Sequence, residues 1–212
     1  HYPLRRQRQM CIRDRDCKVC QLVKLYKNGK PFKMSKRAGE FISAQDLLHE
    51  VDKDPIRFMM LNRSNDVELD FDFDMVKEKT KENPVFYVQY AFARINSLHR
   101  SLNINLNSKI FLDKDNFKLN KNEEKIIRKI FEWPKIIDSA SKKFEIHKIP
   151  FYLYELSTLF HSYWSKGNEE VKYKFIENEK IKRVEILAVI NLVTIVIQNG
   201  MKILGVSLPT KM

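Results

Sequence analysis

The longest apolar stretch of the chain is the sequence feature that most limits the fold. It runs from Ile186 to Ile197 and is interrupted by Asn191 and Thr194. Its twelve residues fall short of the roughly 18–20 apolar residues that a membrane-spanning helix needs. We therefore expect a helix buried in a globular core and no membrane association, in a chain of 212 residues that is long enough for one or two domains.

Helical signals dominate the chain after residue 76. Asn83-Pro84 opens a segment whose apolar positions recur at threes and fours until about Leu102, as in an amphipathic helix. A polar, Asn-rich connection follows over 103–120. The remaining helices are expected at about 122–131, 134–144, 150–165 and 180–199, the last closed by Asn199-Gly200. The pattern predicts a mainly α fold.

The chain before residue 76 has a mixed pattern. A loosely alternating segment over 22–26 and the Asn28-Gly29 turn predict a β-hairpin. Short helices are expected over 44–51, capped by Ser43 with Asp46, and from Asp54-Pro55 to about Leu61. Apolar and acidic residues alternate over 67–74, which predicts an extended segment. We place the domain boundary near residue 76, between 17–75 and 76–212.

The net charge of +12 lies mostly after that boundary. Cations and acids balance over 17–75, whereas 76–212 carry twenty-four cations against fifteen acids. A basic surface favours a nucleic-acid partner, because phosphate contacts supply much of the affinity for nucleic acids. Lysine-rich helix faces that contact only water would give the same count.

Residues 1–16 differ in composition from the rest. They hold five of the twelve arginines and none of the twenty-seven lysines. We predict a non-native arm of foreign coding origin, with the native chain starting near Cys17; the alternative is a basic arm that contacts phosphate. The segment lacks the apolar core of a secretory signal, so we expect a cytoplasmic protein.

The three cysteines, Cys11, Cys17 and Cys20, all lie in the first twenty residues. A disulfide framework is not expected from an odd count without partners elsewhere. Cys17 and Cys20 have the spacing of a zinc or redox pair, but zinc needs a second pair of ligands, and the histidines lack the usual close spacing. We expect no protein-bound metal.

A cationic loop separates the hairpin from the first helix. It reads Lys33-Met34-Ser35-Lys36-Arg37 and shows no apolar periodicity. Lysines and a small hydroxyl residue on such a loop can close over a triphosphate, where the ammonium groups offset charge developing on the pyrophosphate leaving group. The same residues also fit a solvated turn.

The loop resembles the second signature of class I aminoacyl-tRNA synthetases, Lys-Met-Ser-Lys-Ser/Arg. The resemblance implies that Lys33, Met34, Ser35, Lys36 and Arg37 bind ATP, which enters with Mg²⁺. Lys36 would act catalytically on the leaving pyrophosphate, with support from Lys33. The implied architecture is the end of a nucleotide-binding α/β catalytic domain followed by an all-α anticodon-binding bundle.

Two further stretches narrow the resemblance to the arginyl enzymes. They are Asn83–Ile95 and Asn199–Met212. The implied function is that of an arginine–tRNA ligase, which activates L-arginine with ATP and transfers it to tRNA(Arg). The first class I signature, His-Ile-Gly-His or a relative, is missing from the chain, so we expect this fragment, a monomer, to be inactive alone. Phe92 also stands where the family commonly has His.

One face of the helix after Pro84 combines aromatic and cationic side chains. Tyr87, Tyr90 and Arg94 recur at threes and fours, and such a face can stack on single-stranded bases. The tyrosines could equally pack between helices. With the family resemblance, tRNA contacts are predicted for Tyr87, Gln89, Tyr90, Arg94, Tyr163, Trp164 and Met212. We expect Phe160 in the core and His161 on the surface.

Two alternatives remain. Another class I synthetase, such as the cysteine enzyme, would share the loop but would not explain Asn83–Ile95 or Leu204–Met212. A non-catalytic tRNA-binding helical module fits the missing first signature but has no need of the loop at 33–37. A His-Ile-Gly-His-like signature a few hundred residues upstream in the reading frame would favour the enzyme.

Overall fold

Helices make up most of the protein. The computed structural model describes residues 18–32, 42–104, 118–177 and 180–212. The first part contains β1 (Val23–Lys27), β2 (Lys30–Pro31), α1 (Ala44–Glu50), α2 (Lys53–Leu61) and β3 (Leu69–Asp72). The second part contains α3 (Pro84–Ser101), α4 (Lys121–Phe131), α5 (Trp133–Lys143), α6 (Lys148–Glu169), β4 (Ile176–Glu177), β5 (Lys180–Ile181) and α7 (Val184–Leu204). The mainly α fold expected from the sequence is confirmed.

The first part of the chain contains a three-stranded sheet with the strand order β2-β1-β3. β1 and β2 form the predicted hairpin, in which Asn28 and Gly29 have φ of 52° and 67°. Two positive φ angles are what a two-residue hairpin turn of this hand needs. β3 pairs parallel to β1, with Leu25 opposite Phe71. A parallel pair requires a crossover, and α1 and α2 supply it.

Helix α2 is shared between two hydrophobic cores. The smaller core packs beneath the sheet and includes Phe71, Phe73 and, from α2, Met59. The larger core fills the helical part and includes Phe58, the residue next to Met59. The two cores therefore meet within one helix, and the domain boundary near residue 76 stays a prediction.

Helix α7 lies in the centre of the larger core. Ile190, Val193, Ile197 and Leu204 are at most 1% exposed, and the helix contacts α3, α4 and α6. By length and composition alone α7 could cross a membrane, with a mean hydropathy of 1.7, but 56% of its apolar window is buried inside the protein. Its packing is that of the core helix expected from the sequence.

The end of α7 differs from the prediction. Asn199-Gly200 was expected to close this helix, but the helix continues to Leu204 and ends at Gly205, whose φ is 66°. Gly200 is instead buried against α6, where a Cβ would lie 2.7 Å from Leu153 Cδ2. Gly200 thus permits close packing of α7 on α6, and Gly205 supplies the left-handed residue that ends the helix.

Helix starts follow the capping signals in part. Ser43 and Asp46 form the predicted capping box of α1. The predicted start of α2, with Asp54 as the cap and Pro55 as the first helical residue, is two residues late, because α2 begins at Lys53 after the cap Asp52. The expected start of α7 near residue 180 is also wrong, because β5 pairs there with β4 in a hairpin that the sequence did not indicate.

A buried carboxylate ties α4 to α6 and to the start of α7. Glu123 is fully buried and accepts hydrogen bonds from the Arg183 guanidinium and, at 2.5 Å, from the Tyr163 hydroxyl. It also accepts from the Asn120 backbone N–H at 2.8 Å. A buried charge is stable only when it is paired and hydrogen-bonded in this way.

The close approach at Gly200 generates a stability prediction. Helix propensity alone would make Gly200→Ala stabilising by about 1 kcal/mol. We expect instead a loss of about 1–3 kcal/mol in the free energy of unfolding, because the added methyl overlaps Leu153 in a packed core. Urea denaturation of Gly200→Ala, Leu153→Ala and the double variant measures this. In the double variant the Leu153→Ala change should cost less than it does alone; a stabilising Gly200→Ala would contradict the packing.

Candidate nucleic-acid interface

An open groove of about 720 Å³ lies where α3, the end of α6, β4 and the chain terminus meet. Four of the residues predicted to contact tRNA line it together: Tyr90, Arg94, Trp164 and Met212. The other lining residues are Ala93, Ser97, Leu98, Arg100, Ser101, Ile176 and Lys211. None of these described lining residues has an acidic side chain, so the side chains of Arg94, Arg100 and Lys211 make the lining basic.

Arg94 is held between two aromatic rings at the groove. Its guanidinium carbon lies 4.4 Å from the centre of the Tyr90 ring and 5.2 Å from that of Trp164. Nη2 also donates a hydrogen bond to the Tyr90 hydroxyl at 2.7 Å. Cation–π contacts of this kind favour a fixed guanidinium plane. The flat cation and the two rings form a surface on which bases can stack.

His161 fixes the other side of that guanidinium. Arg94 Nη1 lies 3.1 Å from His161 Nδ1, and His161 Nε2 lies 3.1 Å from the Tyr87 carbonyl oxygen. An arginine can only donate and a carbonyl can only accept. The ring is therefore neutral, with its proton on Nε2. The expectation that His161 is a surface residue is wrong: it is only 6% exposed.

Burial keeps this imidazole neutral. The pKa of His161 is lowered from 6.5 to about 4, mainly by burial and to a smaller extent by the charge of Arg94, while the hydrogen bond to the Tyr87 carbonyl acts in the opposite direction. Desolvation disfavours the charged form of a base. At neutral pH the lone pair on Nδ1 is thus available to accept from Arg94.

The remaining predicted tRNA residues lie outside the groove. Tyr87 is half-buried, and its ring packs 4.4 Å from that of His161 and 5.3 Å from that of Tyr154. Gln89 Nε2 donates to the Ser207 carbonyl at 3.0 Å. Tyr163 must be corrected as a stacking surface, because it is 2% exposed and its hydroxyl donates to Glu123. Phe160, at 1% exposed, is the core residue expected.

Sequence reasoning missed several lining residues. Ser97 and Ser101 continue the face of Tyr90 and Arg94 by threes and fours, so the same periodicity could have found them. Lys211 adjoins Met212 and offered a similar signal. Arg100 lies beside Ser101, but its spacing from Arg94 does not mark it. Ile176 lies in β4, a strand that no local sequence pattern predicted.

The predicted ATP residues, Lys33, Met34, Ser35, Lys36 and Arg37, lie outside the described residues, between β2 and α1. The same holds for Cys11 and Cys17, whereas Cys20 is exposed. Within the described ranges no group of three or more His, Cys, Asp or Glu could hold a metal ion.

The neutral state of His161 predicts a pH dependence. The unfolded chain takes up the proton below pH 6.5, but the folded protein does so only near pH 4. The stability that His161 contributes is thus complete above pH 6.5 and is lost as the pH falls towards 4. On acidification from about pH 7 to about pH 4.5, the loss of this contribution should lower the free energy of unfolding by about 2 kcal/mol.

Urea denaturation of wild type and His161→Gln at both pH values isolates this contribution, because other titrations cancel in the difference. Wild type should lose about 2 kcal/mol more than the variant on acidification. His49→Gln, which removes an exposed imidazole, is the matched control. Equal losses in wild type and His161→Gln would show that the imidazole is not held neutral.

Comparison with known proteins identifies a family for the helical part of the chain. Residues 88–212 match the family model described as the DALR anticodon binding domain. That range contains Tyr90, Arg94, Trp164 and Met212, the four predicted residues that line the groove.

Curated and solved relatives point the same way. An arginine–tRNA ligase of Pelagibacter ubique is 53% identical over 196 residues, which are 92% of this chain and 34% of that protein. An arginine–tRNA ligase of Brucella canis is 44% identical over 203 residues, with the same two shares of 92% and 34%. A Campylobacter jejuni structure assigned as an arginyl-tRNA synthetase superposes with a TM-score of 0.74 at 25% identity, over 91% of this chain and 40% of that one.

The chain spans about a third of the length of these curated relatives, at 34%. The family model covers more than half of the chain. The chain therefore belongs to the DALR anticodon-binding domain family, and the curated relatives named above are arginine–tRNA ligases.

Proposed function

We propose that this chain is the anticodon-binding part of an arginine–tRNA ligase and that its groove holds anticodon bases of tRNA(Arg). One observation carries the proposal: the fold brings Tyr90, Arg94, Trp164 and Met212 into a single open groove. These residues come from three separate parts of the chain. A basic surface that contacts only water does not require these four residues to lie together.

The chemistry of the groove suits single-stranded RNA. Aromatic rings and arginine planes stack on unpaired bases, and each stacked base contributes about 1–3 kcal/mol. Tyr90, Arg94 and Trp164 supply such planes, and Met212 supplies a polarizable apolar contact, 55% exposed at the end of the chain. Arg100 and Lys211 lie at the same groove and would bind the phosphates that join these bases.

The ligase activity of the longer protein is part of the proposal. In it, ATP activates L-arginine to the adenylate, and arginine passes to the terminal ribose of tRNA(Arg). Lys36 would offset charge on the leaving pyrophosphate, with Lys33, Met34, Ser35 and Arg37 around the ATP phosphates and Mg²⁺ bound to the ATP itself. The similarity of 92% of this chain to arginine–tRNA ligases supports this role for the segment, as does its position in the sequence between β2 and α1. We expect a cytoplasmic monomer.

A non-catalytic tRNA-binding module is the alternative. It is favoured by one observation: every described residue that lines the groove lies at or after Tyr90, and a binding module needs no ATP-binding residues. Arginine-dependent ATP–pyrophosphate exchange by the longer protein, with and without Lys36→Ala, separates the two. The proposal expects exchange that the substitution abolishes.

RNA binding by the chain itself provides the direct test. We compare Arg94→Gln, at the groove, with Arg128→Gln, an exposed arginine on α4 that is not among the residues lining the groove. Both changes remove one positive charge. Arg94→Gln should weaken binding of a tRNA(Arg) transcript about tenfold, as loss of one stacking or phosphate contact predicts, and Arg128→Gln should have little effect.

The binding is measured by titration at two salt concentrations, with a second transcript that carries a substituted anticodon, because phosphate contacts alone are salt-sensitive and sequence-independent. The unmodified chain should prefer the native anticodon. Equal binding of the two transcripts, or equal losses in the two arginine variants, would reduce the groove to a general basic surface.

A further inference from the structure

We infer that Asp54 and Arg57, two residues of α2 that lie outside the groove, are positioning residues that hold the chain terminus in place for RNA. The inference rests on the proposed function of the groove. It concerns the segment from Gly205 to Met212, which leaves α7 and ends at the groove. We call this segment the C-terminal tail.

Asp54 and Arg57 make hydrogen bonds at the start of the tail. The Asp54 carboxylate accepts hydrogen bonds from both the backbone N–H of Ser207, at 3.1 Å, and the Ser207 hydroxyl. Arg57 Nε donates to the carbonyl oxygen of Leu204, the last residue of α7. Hydrogen bonds to ionised groups are about twice as strong as neutral ones. The junction between α7 and the tail is therefore fixed by two charged side chains.

We call Asp54 and Arg57 the tail clasp, and the sequence at the start of the tail fits them. Gly205 has a φ of 66°, and a Cβ at that position would lie 2.7 Å from Arg57 Nε. Only glycine leaves this space to the arginine. Val206, the next residue, is 6% exposed and packs into the larger core. Ser207 is thus presented to Asp54 by the two residues that precede it.

From Ser207 the tail is led along α3 to the groove. Gln89 Nε2 donates to the Ser207 carbonyl at 3.0 Å, so Ser207 is held through both its backbone N–H and its carbonyl oxygen. Arg100 Nη1 donates to the Thr210 carbonyl at 2.9 Å. Lys211 and Met212 then line the groove. The clasp on α2 is the first of three attachments along the tail, before those made by Gln89 and Arg100. It fixes the position from which the tail runs towards the other two.

Helix α2 is a rigid base for this clasp, because it is anchored in both cores. Phe58 is fully buried in the larger core and Met59, 5% exposed, packs in the smaller one. Asp54 and Arg57 therefore project from a helix that cannot shift without disturbing both. Without the Asp54 carboxylate, Ser207 keeps only the contact of its carbonyl with Gln89, and the tail is held less firmly on its way to the groove.

The test uses the 212-residue chain with Asp54→Ala, and with Asp52→Ala as the matched control. Asp52 lies two residues away, carries the same charge, and makes no side-chain cap hydrogen bond. Two quantities are measured: affinity for the native and the substituted anticodon stem-loop, and amide hydrogen exchange over residues 205–212. Asp54→Ala should bind the native stem-loop about tenfold more weakly and the substituted one as before.

Exchange over the tail should be faster in Asp54→Ala and unchanged in Asp52→Ala. If both variants bind the native stem-loop equally and exchange alike, the inference is overturned and the proposed function stands. If the unmodified chain does not distinguish the two stem-loops, both fall. Ser207→Ala, which removes only the hydroxyl, should show a smaller loss in the same direction and carries the test if Asp54→Ala does not fold.

Discussion

The burial of α7 is the constraint on which the rest of the structure depends. Its apolar side chains are shared among α3, α4 and α6, and at Gly200 its backbone comes within contact of Leu153 on α6. Helix packing at this density leaves little freedom in the position of the helix. The position of Leu204 is thus fixed, and so is the point at which the C-terminal tail begins its course to the groove.

A second constraint acts at the groove itself. His161 is buried and neutral, with its pKa lowered to about 4, so its Nδ1 can accept a hydrogen bond from Arg94. That bond and the Tyr90 hydroxyl hold the guanidinium plane before any RNA arrives. Preorganised side chains lose less entropy on binding than mobile ones, so more of the contact energy appears as affinity.

The sequence predicted the helices well where local signals decide them. Capping at Ser43, the Asn28-Gly29 turn and the periodicity after Pro84 all reappear in the structure. It failed where tertiary contacts decide. Gly200 and Gly205 carry the same local signal, and only the proximity of Leu153 and Arg57 gives them different roles.

The same limit applies to the groove. Tyr90, Arg94, Trp164 and Met212 could be named from periodicity and family resemblance. Tyr163 was misjudged, because Glu123, the carboxylate that accepts a hydrogen bond from its buried hydroxyl, is forty residues away in the chain. Burial of His161 depends on α3 packing against α6, which no local pattern in α6 shows. The tail clasp joins Asp54 to Ser207 across 153 residues, a separation beyond any local signal.

Fluorescence of Trp164 tests the central claim most directly. The chain has two tryptophans, and Trp133→Phe removes the one that packs on Tyr152 and is not among the groove-lining residues. Titration with a tRNA(Arg) anticodon stem-loop should then quench Trp164 emission saturably, because a base stacks on its ring. The same stem-loop with a substituted anticodon should leave the emission almost unchanged. Binding of the native stem-loop without any change in Trp164 emission would show that the anticodon does not enter this groove.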